Sequence, residues 1–316
     1  MTVFAPPADQ AAYGPYGPGR LHTSPEWNRP IYPFQGRVGA DPFPAEPGRY
    51  HLYAAHLCPW AQRATIVRTL AGLEQVVGLS YVDDERDGRG WAFRERRGPD
   101  PVNGFAFLEQ AYEATEPGYA GHISVPVLWD RAGGRIVSNH YPDITLDLAT
   151  RFARWSDSPE RLYPAELRAL IDARNDEILH RVNRGVSLVG RARTQEEYDD
   201  LRQRVVAAFE SLDAHLAGHR YLVGEQLTEA DVRLWVTLAR FDLGYNPANR
   251  ISERPLSGFP HLWAYARDLY QRPAFRDTTD FTTFGHRPPE DNPDVKRIDV
   301  APGAADWDEP HRRGPA

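Results

Sequence analysis

With 316 residues, 41% of them apolar, the chain has the material to bury the cores of two modest domains or of one large one. A formal charge of −7 argues against nucleic acid as the main partner, because a phosphate-binding face brings a basic excess. No uncharged apolar run reaches the roughly eighteen residues of a membrane span, and Met1 to Tyr13 lacks the order of an export signal. The single cysteine excludes an internal disulfide or a cysteine-built zinc site, so a cytoplasmic protein with no nucleic-acid, membrane or metal partner is expected.

Residues 1–47 are rich in Pro and Gly, show neither the helical nor the strand period, and read as an irregular N-terminal extension. Residues 49–54 alternate as a strand. A loop carrying Cys58-Pro59 then opens a helix over 60–73, with Ile66, Val67, Leu70 and Leu73 on one face. Residues 79–82 form a second strand, and 83–118 a long charged loop anchored by Trp91 and Phe93. A strand over 124–130 is entered through Pro126, and Gly133-Gly134 turns it back into a strand over 135–138. From Asp143 the apolar spacing is helical, through 162–182, 194–216, 228–241 and 259–270. Thr228 and Asp231 stand at the spacing of a capping box. Residues 285–316 return to Pro, Gly and Asp and read as an extension laid over the surface. The predicted organisation is α/β plus all-α: a mixed domain over 48–147 and a helical bundle over 148–284, between extensions 1–47 and 285–316.

The chemistry concentrates at His56-Leu57-Cys58-Pro59-Trp60-Ala61. A cysteine at a strand-to-helix junction faces the positive end of the helix dipole and unpaired backbone N–H groups, which favour thiolate over thiol. Pro59 suits the first helical turn, and Trp60 can shield the sulfur. The bland alternative is a buried structural cysteine. His56 is either an assisting base or a loop residue. Pro126 supports the same site, since a cis Val125-Pro126 bond would present the Val125 backbone N–H and C=O to a peptide-like ligand. A proline at a strand edge is the plain alternative.

Taken together, the strand, the Cys58-Pro59-Trp60-Ala61 helix start, Ser124-Val125-Pro126-Val127, Ile136-Val137-Ser138-Asn139 and the helical second half resemble the xi-class glutathione transferases, the glutathionyl-hydroquinone reductases. Supporting pieces are residues 43–53, Gly90-Trp91-Ala92-Phe93, residues 194–198 and residues 227–234, so the resemblance runs from Phe43 to Tyr270. It implies a thioredoxin-like N-terminal domain, a helical-bundle C-terminal domain (the glutathione-transferase fold) and a homodimer. It also implies a reaction in which Cys58 attacks the sulfur of an S-glutathionyl hydroquinone, keeps the tripeptide as a mixed disulfide and is released by a second glutathione. A lone cysteine without a CxxC partner needs such an external thiol. By the same resemblance Trp91 packs on the bound thiol, Val125 and Pro126 clamp its backbone, and Asn139, His140 and Tyr141 fall where its γ-glutamyl end binds.

Two stretches depart from the family pattern. Glu-Ser after Ile-Val-Ser-Asn is replaced by His140 and Tyr141, followed by Pro142 and Asp143. An unpaired ligand ammonium there would cost on the order of 1.5 to 3 kcal/mol, with Asp143, three positions on, as a possible substitute. The family's Asn-Gly-Val-Tyr is represented by Arg184-Gly185-Val186-Ser187, and its His-Tyr-Tyr finds no match near Phe284-Gly285-His286-Arg287, leaving Tyr245 as a pocket wall or an ordinary core or surface tyrosine. Lys296 is the lone lysine among 37 basic residues, a usage that suggests a GC-rich genome. Hence the thiol cosubstrate is glutathione or mycothiol, a neutral pseudodisaccharide thiol that needs no ammonium partner, and the ligand a small-molecule thiol conjugate. Conjugation of electrophiles, and a non-catalytic binding protein that keeps the fold, are the alternatives.

Overall fold

The structure, a computed structural model, describes residues 2–16, 32–286, 288–289, 291–303 and 306–314. The chain divides into two units, Met1–Pro159 and Glu160–Ala316. The first is mixed α/β and the second all-α, as the sequence pattern predicts. Parts of both expected extensions, including residues 17–31 and Arg287, lie outside the described residues.

In the first unit a single helical turn, α1 (Gln10–Tyr13), is capped by Asp9, whose carboxylate accepts from the Ala12 N–H at 2.9 Å. This corrects the reading of the extension as wholly irregular, since four residues are too few to show a period. Strand β1 (Tyr50–Ala54), helix α2 (Pro59–Leu70) and strand β2 (Gly78–Tyr81) make a parallel crossover. Helix α3 (Glu109–Thr115) lies inside the expected loop 83–118 and has only Ala111 and Tyr112 buried, too little to give a periodic signal.

Strands β3 (Val127–Asp130) and β4 (Arg135–Ser138) form the hairpin, and the sheet order is β2-β1-β3-β4. The first of these begins at Val127 rather than at 124, because Pro126 has no N–H for the ladder. All five β1 residues are buried instead of alternating: Tyr50 meets Phe152 on one face and Tyr53 meets Phe93 on the other. Helix α4 (Tyr141–Thr150) starts ahead of Asp143, with Pro142 in its first turn, where a missing N–H costs nothing. It packs on α2, so a boundary at 147/148 would cut it, and the chain divides after Pro159.

The second unit holds α5 (Arg168–Ile178), α6 (Gly185–Val189), α7 (Gln195–Leu216), α8 (Glu229–Arg240), α9 (Asn246–Asn249), α10 (Pro260–Tyr270) and α11 (Pro273–Arg276). The helix expected over 162–182 begins only at Arg168, since Pro164 cannot sit inside a helix. Every residue of α8 is buried. Its capping box is formed: the Thr228 N–H donates to Asp231 at 2.8 Å, and Asp231 also accepts from the Tyr265 hydroxyl at 2.8 Å. Most described residues of the C-terminal segment are exposed, as expected of an extension over the surface, but Val295 and Trp307 are buried. Trp307 is buried against Trp263, Tyr270 and Phe281, at ring distances of 4.8, 5.4 and 5.4 Å.

Candidate active site

The turn from β1 into α2 positions Cys58. It is the N-cap residue, extended at φ −85° and ψ 114°, and its carbonyl accepts the first helical bond from the Gln62 N–H at 3.0 Å. Pro59 takes the first helical position, which the cysteine's following N–H would otherwise leave unsatisfied. The preceding Leu57 N–H donates to Asp84 at 2.7 Å, and Arg97 holds that carboxylate at 2.7 Å. Thus the loop is pinned from the 83–97 stretch while the thiol stays partly exposed.

The Cys58 thiol donates to the Val125 carbonyl at 3.6 Å, and the Val125-Pro126 bond is cis. Trp91 and Val125 are both buried in the apolar cluster against which Cys58 packs. Cys58, Trp91, Val125 and Pro126 are therefore gathered at one place. His56 is not directed there; its ring stacks flat on Tyr81 at 3.9 Å.

Three further side chains belong to this end and carry no local signal in the sequence. Tyr16, from the N-terminal extension, donates its hydroxyl to the Ile123 carbonyl at 3.0 Å and meets Trp91 at 6.0 Å. Arg86 lies over the Tyr16 ring at 4.2 Å and over Trp91 at 4.1 Å. His122 is 6.4 Å from Tyr16, and burial, with the Arg86 charge adding to it, lowers its imidazole to about 4. Burial holds the Tyr16 phenol above its ordinary range, with Arg86 pulling it down and the Cys58 charge pushing it up.

The stretch Asn139 to Tyr141, expected on the resemblance at the γ-glutamyl end, is built differently. Asn139 is fully buried, accepting from the Phe34 N–H at 3.2 Å and donating to the Tyr112 and Ser124 hydroxyl oxygens at 3.3 and 3.4 Å. Its amide braces the loop from behind. His140 contacts Asp143 at 2.8 Å through Nδ1, and Arg37 reaches Asp143 at 3.2 Å and Asp147 at 2.7 Å. Burial pushes the Asp143 carboxyl up, yet His140 and Arg37 outweigh it and leave the group below its usual range. Asp143 is thus already engaged. Tyr141 is buried against Trp60 at 4.6 Å, with the Arg63 guanidinium 5.5 Å from its ring. Tyr245 lies in the second unit, buried and 4.9 Å from His286.

Comparison with known proteins decides the family. Residues 195–268 match the glutathione S-transferase C-terminal domain. The glutathionyl-hydroquinone reductase PcpF of Sphingobium chlorophenolicum is 40% identical over 72% of this chain and 74% of its own. The chain belongs to the xi-class glutathione transferases, the glutathionyl-hydroquinone reductase family. It is an enzyme of the glutathione-transferase superfamily. A glutathione transferase from Gordonia bronchialis superposes with a TM-score of 0.76 at 44% identity, covering 80% of both chains. The glutathione-bound YqjG of Escherichia coli gives a TM-score of 0.79 at 35% identity, over 89% of this chain and 96% of that one. The glutathione-transferase fold of these neighbours accords with the thioredoxin-like and helical units described above. Among the described residues no helix is long and apolar enough to cross a membrane, and no three His, Cys, Asp or Glu side chains are grouped to hold a metal ion.

Proposed function

We propose that this enzyme is a glutathione-dependent reductase that cleaves S-conjugates of hydroquinones or related aromatics through Cys58. The observation that carries this reading is the Cys58 sulfur at a helix N-cap, 3.6 Å from the Val125 carbonyl and against the apolar cluster that holds Trp91, in a member of a family with a glutathione-bound relative. The Cys58 thiolate attacks the conjugate's sulfur. A new S–S bond forms, the aryl C–S bond breaks, and its electron pair takes up a proton at the ring carbon to give the free hydroquinone. A glutathione thiolate then attacks the mixed disulfide on its glutathione sulfur, giving glutathione disulfide and restoring Cys58. Trp91 and the Val125-Pro126 backbone hold the thiol cosubstrate; a role for Tyr245 toward the aromatic part rests on the family resemblance alone. A homodimer is the expected assembly on the family resemblance, and light scattering on the purified protein checks it.

A second cosubstrate has support at one place only. His140 and Tyr141 stand where the family carries its ammonium partner, and Asp143 is tied to His140 and Arg37, so a neutral thiol such as mycothiol suits that end as well. Intact-mass analysis after incubation with glutathione disulfide or with mycothiol disulfide separates the two, because Cys58 is the only residue that forms such an adduct. A glutathione adduct is expected. No adduct from either, with conjugating activity intact in Cys58→Ala, would replace the reductase reading with a transferase.

A further inference from the structure

The N-terminal segment is more than a cover. It is fastened along its length to the loop that leads to Trp91: the Ala5 N–H donates to the Phe93 carbonyl at 2.8 Å, the Asp9 N–H to Asp87 at 2.8 Å, and the Gly88 N–H to the Gly14 carbonyl at 2.9 Å. Arg94 donates to the Pro6 carbonyl at 2.8 Å, and Arg89 to the Pro7 carbonyl at 2.9 Å. Gly88 permits this approach, since a Cβ there would fall 2.1 Å from the Tyr13 carbonyl oxygen. The strap delivers Tyr16, and Arg86 packs against two adjoining aromatic rings, Tyr16 at 4.2 Å and Trp91 at 4.1 Å. Tyr16 is itself fixed by its 3.0 Å bond to the Ile123 carbonyl, two residues from the Val125 carbonyl that meets the Cys58 sulfur.

We infer that Arg86, held against the rings of Tyr16 of the N-terminal strap and of Trp91, is the positioning residue whose charge holds Cys58 as the thiolate. The inference deepens the function proposed above and rests on Cys58 being the reacting thiol. A guanidinium loses hydration against two rings, and the attraction of their faces returns only part of it. What remains is a positive charge that ring contacts do not neutralise. Burial lowers the Arg86 affinity for its proton, whereas Tyr16, Cys58 and Asp84 act the other way. Of these, Asp84 is already held by Arg97 and the Leu57 N–H. Among the described residues, the titratable and charged groups near the pair include Tyr16, Arg86, Asp84, His122 and Arg97, whose charge is taken up by Asp84 at 2.7 Å. His122 stays neutral down to about pH 4, so Arg86 supplies the positive charge near the sulfur over the neutral range. The two rings fix where that charge sits, and an anion formed at Cys58 interacts favourably with it.

The experiment is the pH dependence of iodoacetamide alkylation in the full chain, read by mass at its single cysteine. Arg86→Met is expected to move the alkylation midpoint upward by about one pH unit, Arg86→Lys to recover part of that shift, and Tyr16→Leu, which removes one ring but keeps the charge, to give a smaller upward shift. Circular dichroism checks each fold. If Arg86→Met does not fold, the Lys and Tyr16→Leu variants still decide, because an unmoved midpoint in both overturns the inference. An unchanged midpoint in Arg86→Met with a raised KM for glutathione also overturns it, making Arg86 a ligand contact instead. Failure of the reductase reading looks different: wild-type Cys58 would form no adduct with either disulfide, whatever its alkylation profile.

Discussion

Two arginines flank the two ends of the thiol site and are held in opposite ways. Arg37, at the His140 end, is gripped by the carboxylates of Asp143 and Asp147 at 3.2 and 2.7 Å. Arg86, at the Cys58 end, is gripped by the rings of Tyr16 and Trp91. A cation between carboxylates has its charge neutralised locally and serves as a fastener. A cation against rings keeps its field, and a nearby sulfur can use it. The same residue type is therefore structural at one end and electrostatic at the other, and what separates them is the chemistry of their neighbours.

The largest expected effect tests whether the Cys58 end holds the chemistry at all. Cys58→Ser should lower turnover of an S-glutathionyl hydroquinone by about a thousandfold or more, measured as single-turnover hydroquinone release. Loss of less than tenfold would make the sulfur dispensable and dissolve the contrast. Next comes acid stability. The imidazoles of His51 and His122 are both lowered to about 4 from 6.5, chiefly by burial. Between those values the unfolded chain binds more protons than the folded one, so stability is complete above pH 6.5 and falls as the pH drops through about 4. For His51, almost wholly buried beside Ser80, the loss amounts to about 3 kcal/mol, and for the more exposed His122 to less. Urea unfolding at pH 7 and pH 5 should show this slope, and His51→Gln should flatten it.

Local signals made the Cys58 turn legible. Cys58, Pro59 and Trp60 are consecutive, and their order alone places a thiol on a helix start; the Val125-Pro126 approach likewise lies within one short segment. The other ingredients come from far along the chain. Tyr16 sits in a Pro- and Gly-rich stretch with no period, and Arg86 among several charged residues, so nothing nearby distinguishes either from a solvated side chain. Asn139 and Tyr141 fall at the cofactor by resemblance alone, and what buries them is also distant in sequence or invisible to it: the Phe34 N–H donates to Asn139, and Tyr141 packs on Trp60. The bundle was legible from its apolar period, whereas Trp307 could join its core only through a tertiary contact that composition does not encode.

Removing the two arginines sharpens the contrast directly. Arg37→Met leaves Asp147, which is fully buried, with the Val38 N–H at 2.8 Å and Arg151 at 3.8 Å as its remaining partners. An uncompensated buried carboxylate would cost several kcal/mol, but Arg37 is over a third exposed, so about 2 kcal/mol is expected in urea unfolding. Arg86→Met gives up its ring contacts and its hydrogen bond to Tyr16 but leaves Asp84 paired with Arg97, and should cost about 1 kcal/mol. Equal losses would mean that the two arginines are held alike.

The smallest effect tests whether the His140 end can be returned to the family pattern. The double replacement His140→Glu and Tyr141→Ser puts back a carboxylate and a hydroxyl at the start of α4, where the helix N-terminus also favours a ligand carboxylate. The new glutamate stands near Asp143, but Arg37 is within 3.2 Å of that carboxylate and offsets the repulsion. Losing Tyr141 removes a ring packed on Trp60, so some stability is given up for the gain in binding. The balance predicts a KM for glutathione about tenfold lower with little change in kcat, because a contact to the remote γ-glutamyl group binds ground state and transition state alike. An unchanged KM would show that this end does not contact the cosubstrate's ammonium, and would leave recognition to the Cys58 end alone.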